Sequence, residues 1–173
     1  MIKVLVSGAS GAMGEVLIDL IRKNDDFKVS AGFSKDEISY EDFKIYDNLE
    51  KIQEKSDVII DFSSKDSLNP FLAYATKNKI PIVLASTGYD EDDIANIKKA
   101  SEEIPIIQSG NYSLGVNVMV YVSKILANLL EGFDIEIIEA HHNKKKDAPS
   151  GTANMIFDAI NQARGGNLEK IYG

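Results

Sequence analysis

The first turn of this chain constrains it more than any other feature. Val4-Leu5-Val6 runs into Ser7-Gly8-Ala9-Ser10-Gly11-Ala12-Met13-Gly14, with three glycines at Gly-x-x-Gly-x-x-Gly spacing. An apolar run, a glycine loop and a helix-forming stretch together open a βαβ unit. Glycines there permit a tight turn and let backbone N–H groups approach a pyrophosphate at a helix N-terminus. The spacing is a variant of the dinucleotide fingerprint, found in the context that the fingerprint requires. A chain that begins this way must go on to supply further strands and helices in alternation.

It does so over most of its length. The pattern predicts strands at Ile2–Val6, Phe27–Phe33, Val58–Phe62, Ile80–Ala85, Ile104–Gln108 and Phe133–Ala140. Between them, helical spacing of apolar residues predicts helices at Gly14–Asn24, Lys65–Lys79, Asp90–Glu103 and Ser113–Glu131. Nearly all-apolar strands are those of a parallel sheet covered on both faces, so the fold class is α/β: a Rossmann-type doubly wound parallel sheet. In Ser113–Glu131 apolar residues occupy two faces, which predicts a well-buried helix. Ser34–Leu49 is polar and without period and reads as irregular. Phe133–Ala140 alternates Asp134, Glu136 and Glu139 with Ile135, Ile137 and Ile138, and such a half-polar strand needs neighbours that little remaining sequence can supply. After a loop, a helix is expected from about Gly151 to Arg164. The C-terminal part is therefore read as an incomplete α+β second domain.

Composition narrows the function. Nineteen Lys+Arg against 27 Asp+Glu give a net charge of −8, which argues against a nucleic-acid or anionic-membrane binder. The chain contains no cysteine, so disulfides, thiolate metal sites and cysteine nucleophiles drop out together. No metal site is expected. The longest apolar stretch, Leu114 to Leu130, is interrupted by Asn117, Ser123, Lys124 and Asn128 and reads as an amphipathic helix rather than a membrane span. No N-terminal signal is visible, because Met1-Ile2-Lys3 runs straight into the first strand, and a cytoplasmic setting is expected.

Two further segments carry chemistry. At the end of the second strand, where NAD-preferring proteins place an acidic residue for the ribose 2′-hydroxyl, Ser34 and Lys35 offer a hydroxyl and a cation. These suit a 2′-phosphate, but Asp36 and Glu37 follow at once, so the choice between NADPH and NADH stays open. The second segment, Glu139–Ala153, holds both histidines of the chain, His141 and His142, together with Lys144, Lys145 and Lys146. If strand geometry persists, the two histidines point to opposite faces. Ser150 is a plausible N-cap, and the N–H groups of Gly151 and Thr152 then form a receptor for a carboxylate or phosphate.

Glu139-Ala140-His141-His142-x-x-Lys145-x-Asp147-Ala148-Pro149-Ser150-Gly151-Thr152-Ala153 resembles the signature of the 4-hydroxy-tetrahydrodipicolinate reductase (dihydrodipicolinate reductase) family. Supporting matches are Gly8–Gly14, Asp61-Phe62-Ser63, Ala85-Ser86-Thr87-Gly88 and Asn111-Tyr112-Ser113-x-Gly115-Val116-Asn117, so the resemblance covers essentially the whole chain. It implies an NAD(P)H-dependent reductase of lysine and diaminopimelate biosynthesis, acting on a small-molecule dicarboxylate, without nucleic-acid or membrane partners, and a homotetramer in the full-length family. It further implies a dinucleotide-binding domain at 1–112 and the start of a substrate-binding and tetramerisation domain at 113–173. By the family pattern His141 is the acid/base residue and Lys145 the proton donor, while His142, Gly151 and Thr152 bind substrate. Gly8, Ala9, Ser10, Gly11, Ala12 and Met13, then Ala85, Ser86 and Thr87, then Ser109, Gly110, Asn111 and Tyr112, line the cofactor, with Ser34 and Lys35 at its ribose. Family members are longer by several dozen residues, which implies a C-terminally truncated chain. The alternative function is an NAD(P)-binding module without turnover.

Overall fold

A computed structural model describes residues 1–143 and 148–172. The chain forms two compact units, Met1–Ser109 and Gly110–Gly173. The first contains β1 (Ile2–Ser7), α1 (Ala12–Arg22), β2 (Phe27–Phe33), β3 (Ile38–Ser39), β4 (Lys44–Tyr46), β5 (Val58–Asp61), α2 (Leu68–Asn78), β6 (Ile82–Leu84), α3 (Glu91–Ser101) and β7 (Ile106–Gln108). Its strands make one sheet in the order β3-β4-β2-β1-β5-β6-β7. Every neighbouring pair is parallel except β3 with β4. Without that antiparallel edge, the six parallel strands stand third, second, first, fourth, fifth, sixth. This is the order of dinucleotide-binding sheets, and the direction of growth reverses beside β1.

The burial pattern shows why the sheet is covered twice. Along β1 the side chains alternate, so Val4 and Val6 join a core with Ile18 and Ile21 of α1, and Leu5 joins another with Leu68, Phe71, Leu72 and Ala75 of α2 and Ile97 of α3. Helices thus pack on both faces, as the near-continuous apolar strands require. Phe71, fully buried, sets its ring edge-on to Phe33 at 5.0 Å between centroids. At Gly32 of β2 a Cβ would stand 2.8 Å from Ile45 Cγ1 and 2.9 Å from Ala9 Cβ, so the glycine loop and β4 meet over that residue.

Two expectations need correction here. Ser34–Leu49 is not irregular, because it holds β3 and β4 and leads into a 3-10 turn at Leu49–Lys51. Strands of two and three residues are too short to show a period, yet Ile45 is fully buried beneath the sheet edge. The long helix is also misjudged. In the second unit α4 (Leu114–Leu129) packs against α5 (Gly151–Ala163), but of its residues only Ala127 is buried, and Leu114, Val118, Tyr121 and Leu129 are exposed. Apolar residues on two faces need two partners, and the described residues of this unit provide one helix.

The expected strand at Phe133–Ala140 is not formed, and no residue of 133–140 pairs in a sheet. Alternation alone does not make a strand; it needs a neighbour to complete its ladder. Ile138 is exposed accordingly. Ser150 does cap α5, accepting a hydrogen bond from Ala153 N at 3.1 Å.

Removing the Phe71 side chain empties the centre of the larger core. Phe71→Ala should lower the stability of the first unit by about 3–5 kcal/mol. Urea denaturation of the variant and parent measures this directly, and a loss below about 1 kcal/mol would contradict the packing.

Candidate functional site

The first cluster forms where β1 gives way to α1. Gly8 adopts φ +76°, and a Cβ there would lie 2.8 Å from the Phe62 carbonyl oxygen just beyond β5. Gly14 is tighter still, since its Cβ would stand 2.1 Å from Gly8 O. Gly8 N and Ala9 N both donate to Phe33 O, at 2.9 and 3.0 Å, and Gly11 N donates to Gly8 O at 2.9 Å. The loop is therefore tied to β2 and folded on itself before the helix begins. Gly11 is the N-cap of α1, in ordinary extended conformation and with no side-chain cap. A Cβ there would sit 3.2 Å from Gly8 O, a tight contact at the mouth of the turn. First-turn amides such as those of Ala12 and Met13 have no intrahelical acceptor. An uncapped helix start with an empty Cβ position suits an anionic group such as a pyrophosphate.

Around this cradle the expected cofactor residues separate by role. Ala9 is fully buried and seats the loop, whereas Ser10, Gly11, Ala12 and Met13 are exposed. The Ser10 and Ser34 hydroxyls are in direct hydrogen-bond contact, which joins the loop to the end of β2. Ser34 N donates to Tyr46 O at 2.9 Å, and Lys35 is exposed beside it. Beyond β6, Ser86 is 6% exposed and donates its hydroxyl to Asp61 Oδ2 at 3.3 Å, while Ala85 is half-buried and Thr87 exposed. Ser109 N donates to Leu84 O at 3.2 Å, at the edge of the first unit.

The second cluster belongs to the second unit. Glu139, His141, Ser150 and Thr152 share the wall of an open depression of about 560 Å³ beside α4 and α5. The Glu139 carboxylate accepts from Ser150 N at 2.8 Å and from Ser150 Oγ at 2.5 Å. The same carboxylate lies 3.8 Å from His141 Nδ1. Asn111, expected at the cofactor, donates its side-chain amide to Thr152 Oγ1 at 3.2 Å, and its backbone oxygen accepts from Asn117 Nδ2 at 3.1 Å. Gly110 and Tyr112 beside it are exposed, as is Gly151 at the start of α5. His142 is exposed and does not line the depression. The opposed-face argument for the two histidines lapses with the strand that it assumed. Lys144, Lys145, Lys146 and Asp147 lie outside the described residues.

Sequence reasoning missed two anchoring carboxylates. Asp61 closes the apolar run Val58-Ile59-Ile60, and a carboxylate ending a buried strand was the available signal. Glu139 looked like the solvent face of a strand.

A parallel sheet in this order, with a glycine loop after its first strand, defines a dinucleotide-binding α/β protein of the Rossmann type. Comparison with known proteins narrows this. The family model "Dihydrodipicolinate reductase, N-terminus" matches residues 2–112, and "Dihydrodipicolinate reductase, C-terminus" matches residues 115–171. A 4-hydroxy-tetrahydrodipicolinate reductase of Caldanaerobacter subterraneus subsp. tengcongensis is 47% identical over 173 residues, 100% of this chain and 68% of the relative. One from Clostridium tetani is 38% identical over 174 residues, with the same shares. In fold, the chain is similar to a dipicolinate-bound dihydrodipicolinate reductase from Paenisporosarcina sp. TG-14, with a TM-score of 0.82 at 24% identity, covering 99% of this chain and 69% of that one. The chain belongs to the dihydrodipicolinate reductase family, NAD(P)H-dependent oxidoreductases of lysine and diaminopimelate biosynthesis.

The cap of α5 is directly testable. Ser150→Ala removes the acceptor of Ala153 N and one of the two groups held by Glu139, and should cost about 1 kcal/mol. Amide exchange at Ala153 should speed up roughly fivefold, and unchanged protection would mean that the cap contributes nothing.

Proposed function

We propose that this chain carries the reduction of a cyclic, imine-containing dicarboxylate, 4-hydroxy-tetrahydrodipicolinate, to tetrahydrodipicolinate. One substrate, one NADPH or NADH and one proton give product, oxidised cofactor and water. The observation that carries this reading is the clustering of His141, Glu139, Ser150 and Thr152 at the start of α5, in a chain whose other unit bears the glycine cradle. The bound nicotinamide would supply hydride to a conjugated ring carbon. The remaining tasks fall to the chain's own groups. The loop from Gly8 to Met13 holds the pyrophosphate, with Ser34 and Lys35 toward the adenosine ribose and Ala85 to Thr87 and Ser109 to Tyr112 along the rest of the cofactor. The amides of Gly151 and Thr152, with the Thr152 hydroxyl, hold a substrate carboxylate at the helix N-terminus. His142 contributes to substrate binding. His141 and Lys145 supply protons and offset negative charge that develops on the ring nitrogen.

In this reading residues 1–112 form the cofactor domain, and residues 113–173 begin the substrate-binding and tetramerisation domain. A homotetramer and a cytoplasmic setting belong to the same proposal. Among the described residues no helix is long and apolar enough to cross a membrane. A second reading, cofactor binding without turnover, is favoured by the exposure of α4 and of 133–140. Assaying NADPH binding and NADPH oxidation side by side separates the two.

Binding and kinetics both test the assignment. Gly11→Val should abolish NADPH binding while leaving the circular-dichroism spectrum unchanged, because the branched side chain enters the anion cradle. NADPH and NADH should bind the parent within about tenfold of each other by titration calorimetry, since Lys35 favours a 2′-phosphate and Asp36 and Glu37 oppose it. In steady-state kinetics His141→Gln and Lys145→Ala should each lower kcat by about 10²–10⁴. Thr152→Val should act mainly on KM, because it holds ground and transition states alike. If His141→Gln changes KM alone, His141 is a binding residue.

A further inference from the structure

Asp61 is fully buried at the end of β5, yet the reaction as described gives it no task. Its bonding is specific. Oδ1 accepts from Ser63 N at 3.2 Å and from Ser63 Oγ at 2.5 Å, and Oδ2 accepts from Ser86 Oγ at 3.3 Å. A carboxylate can only accept, and a serine hydroxyl has a single proton. The Ser86 proton is therefore committed inward, and the Ser86 oxygen presents only lone pairs to anything on its outer side. Burial of both residues, Asp61 at 0% and Ser86 at 6%, keeps water from scrambling that polarity.

An oxygen so fixed accepts from N–H or O–H groups and repels phosphate. The sheet order says which part of a dinucleotide meets it. If the pyrophosphate sits on the amides of α1, beside β1, then the Ser34 side at β2 takes the adenosine half. The ends of β5 and β6 lie on the opposite side of β1 and face the nicotinamide half. That half bears an N–H donor, its carboxamide. We propose that Asp61 is a positioning residue that fixes the Ser86 hydroxyl as an acceptor for the nicotinamide carboxamide. This rests on the dinucleotide reading above and deepens it, since it turns a hydroxyl that could bond in either direction into one that reads an amide.

Calorimetric titration of the chain with two ligands tests this: NADPH, and 2′-phospho-ADP-ribose, which keeps the pyrophosphate and lacks nicotinamide. In Asp61→Asn the side-chain amide can still accept from Ser63 through its oxygen, but its N–H₂ donates to Ser86 and turns the hydroxyl proton outward. NADPH affinity should fall about tenfold, with the affinity for 2′-phospho-ADP-ribose unchanged within about twofold. Ser86→Ala should show the same selective loss, and the double variant should be no worse than either single one, because both act through one bond. NADPH binding like the parent in Asp61→Asn, or equal losses for both ligands, would overturn the proposal; the second result would mean that Asp61 only supports the fold. Should Asp61→Asn fail to fold, Ser86→Ala decides alone, and parental NADPH affinity there overturns it. A parent that binds neither ligand refutes the dinucleotide reading itself, and the role of Asp61 falls with it.

Discussion

The structure depends on how closely α1 can approach the loop that precedes it. Gly14, in the first turn of the helix, has its α-hydrogen where a Cβ would be 2.1 Å from the Gly8 carbonyl. Gly8 in turn lies against the turn after β5. These two contacts bring the helix start, the end of β1 and the end of β5 to one point. The first-turn amides of α1 then open at the reversal in strand order, where a parallel sheet leaves a crevice. Larger residues at either position would move the helix off the sheet and separate the core formed by Val4, Val6, Ile18 and Ile21. One steric constraint thus governs the packing of a face and the placing of the open helix start.

Both clusters use the same polar device beyond that point. Asp61 takes the N–H and the hydroxyl of Ser63, and Glu139 takes the N–H and the hydroxyl of Ser150. Each pair locks a turn beside one of the candidate clusters: the Phe62–Ser63 turn beneath the glycine loop, and the start of α5 with Thr152. Charge-assisted bonds of this type are stronger than neutral ones and directional. They hold short turns in place where apolar packing offers little.

The parts of this fold legible in the sequence are those where one residue type answers to one physical need. The glycine loop, the buried strands around Val4–Val6 and Val58–Ile60, and the Ser150 cap belong here. Their signals are local, and the structure repeats them almost residue for residue. Other parts depend on a partner, which a pattern does not contain. Alternation from Phe133 to Ala140 describes a ribbon with one wet face, but without a neighbouring strand the residues join no sheet. Apolar residues around α4 show that it can be covered, not by what. At Asp61 and Glu139 the sequence shows a carboxylate, while the role comes from serines 2 and 11 residues away that only the folded chain brings within reach.

Gly32 has a consequence for how this chain can change. A methyl group there would collide with both Ala9 and Ile45, so the three side chains share a single fixed volume between the glycine loop and β4. Close-packed interiors do not absorb such additions locally. Substitutions at positions 9, 32 and 45 are therefore acceptable in combination rather than singly. A larger residue in β2 needs a smaller one in β4, and growth at position 9 lifts the loop from the sheet unless β4 gives way first. Drift in β4, a strand of three residues next to the sheet edge, is in this way coupled to the shape of the glycine loop, although no residue of β4 belongs to it.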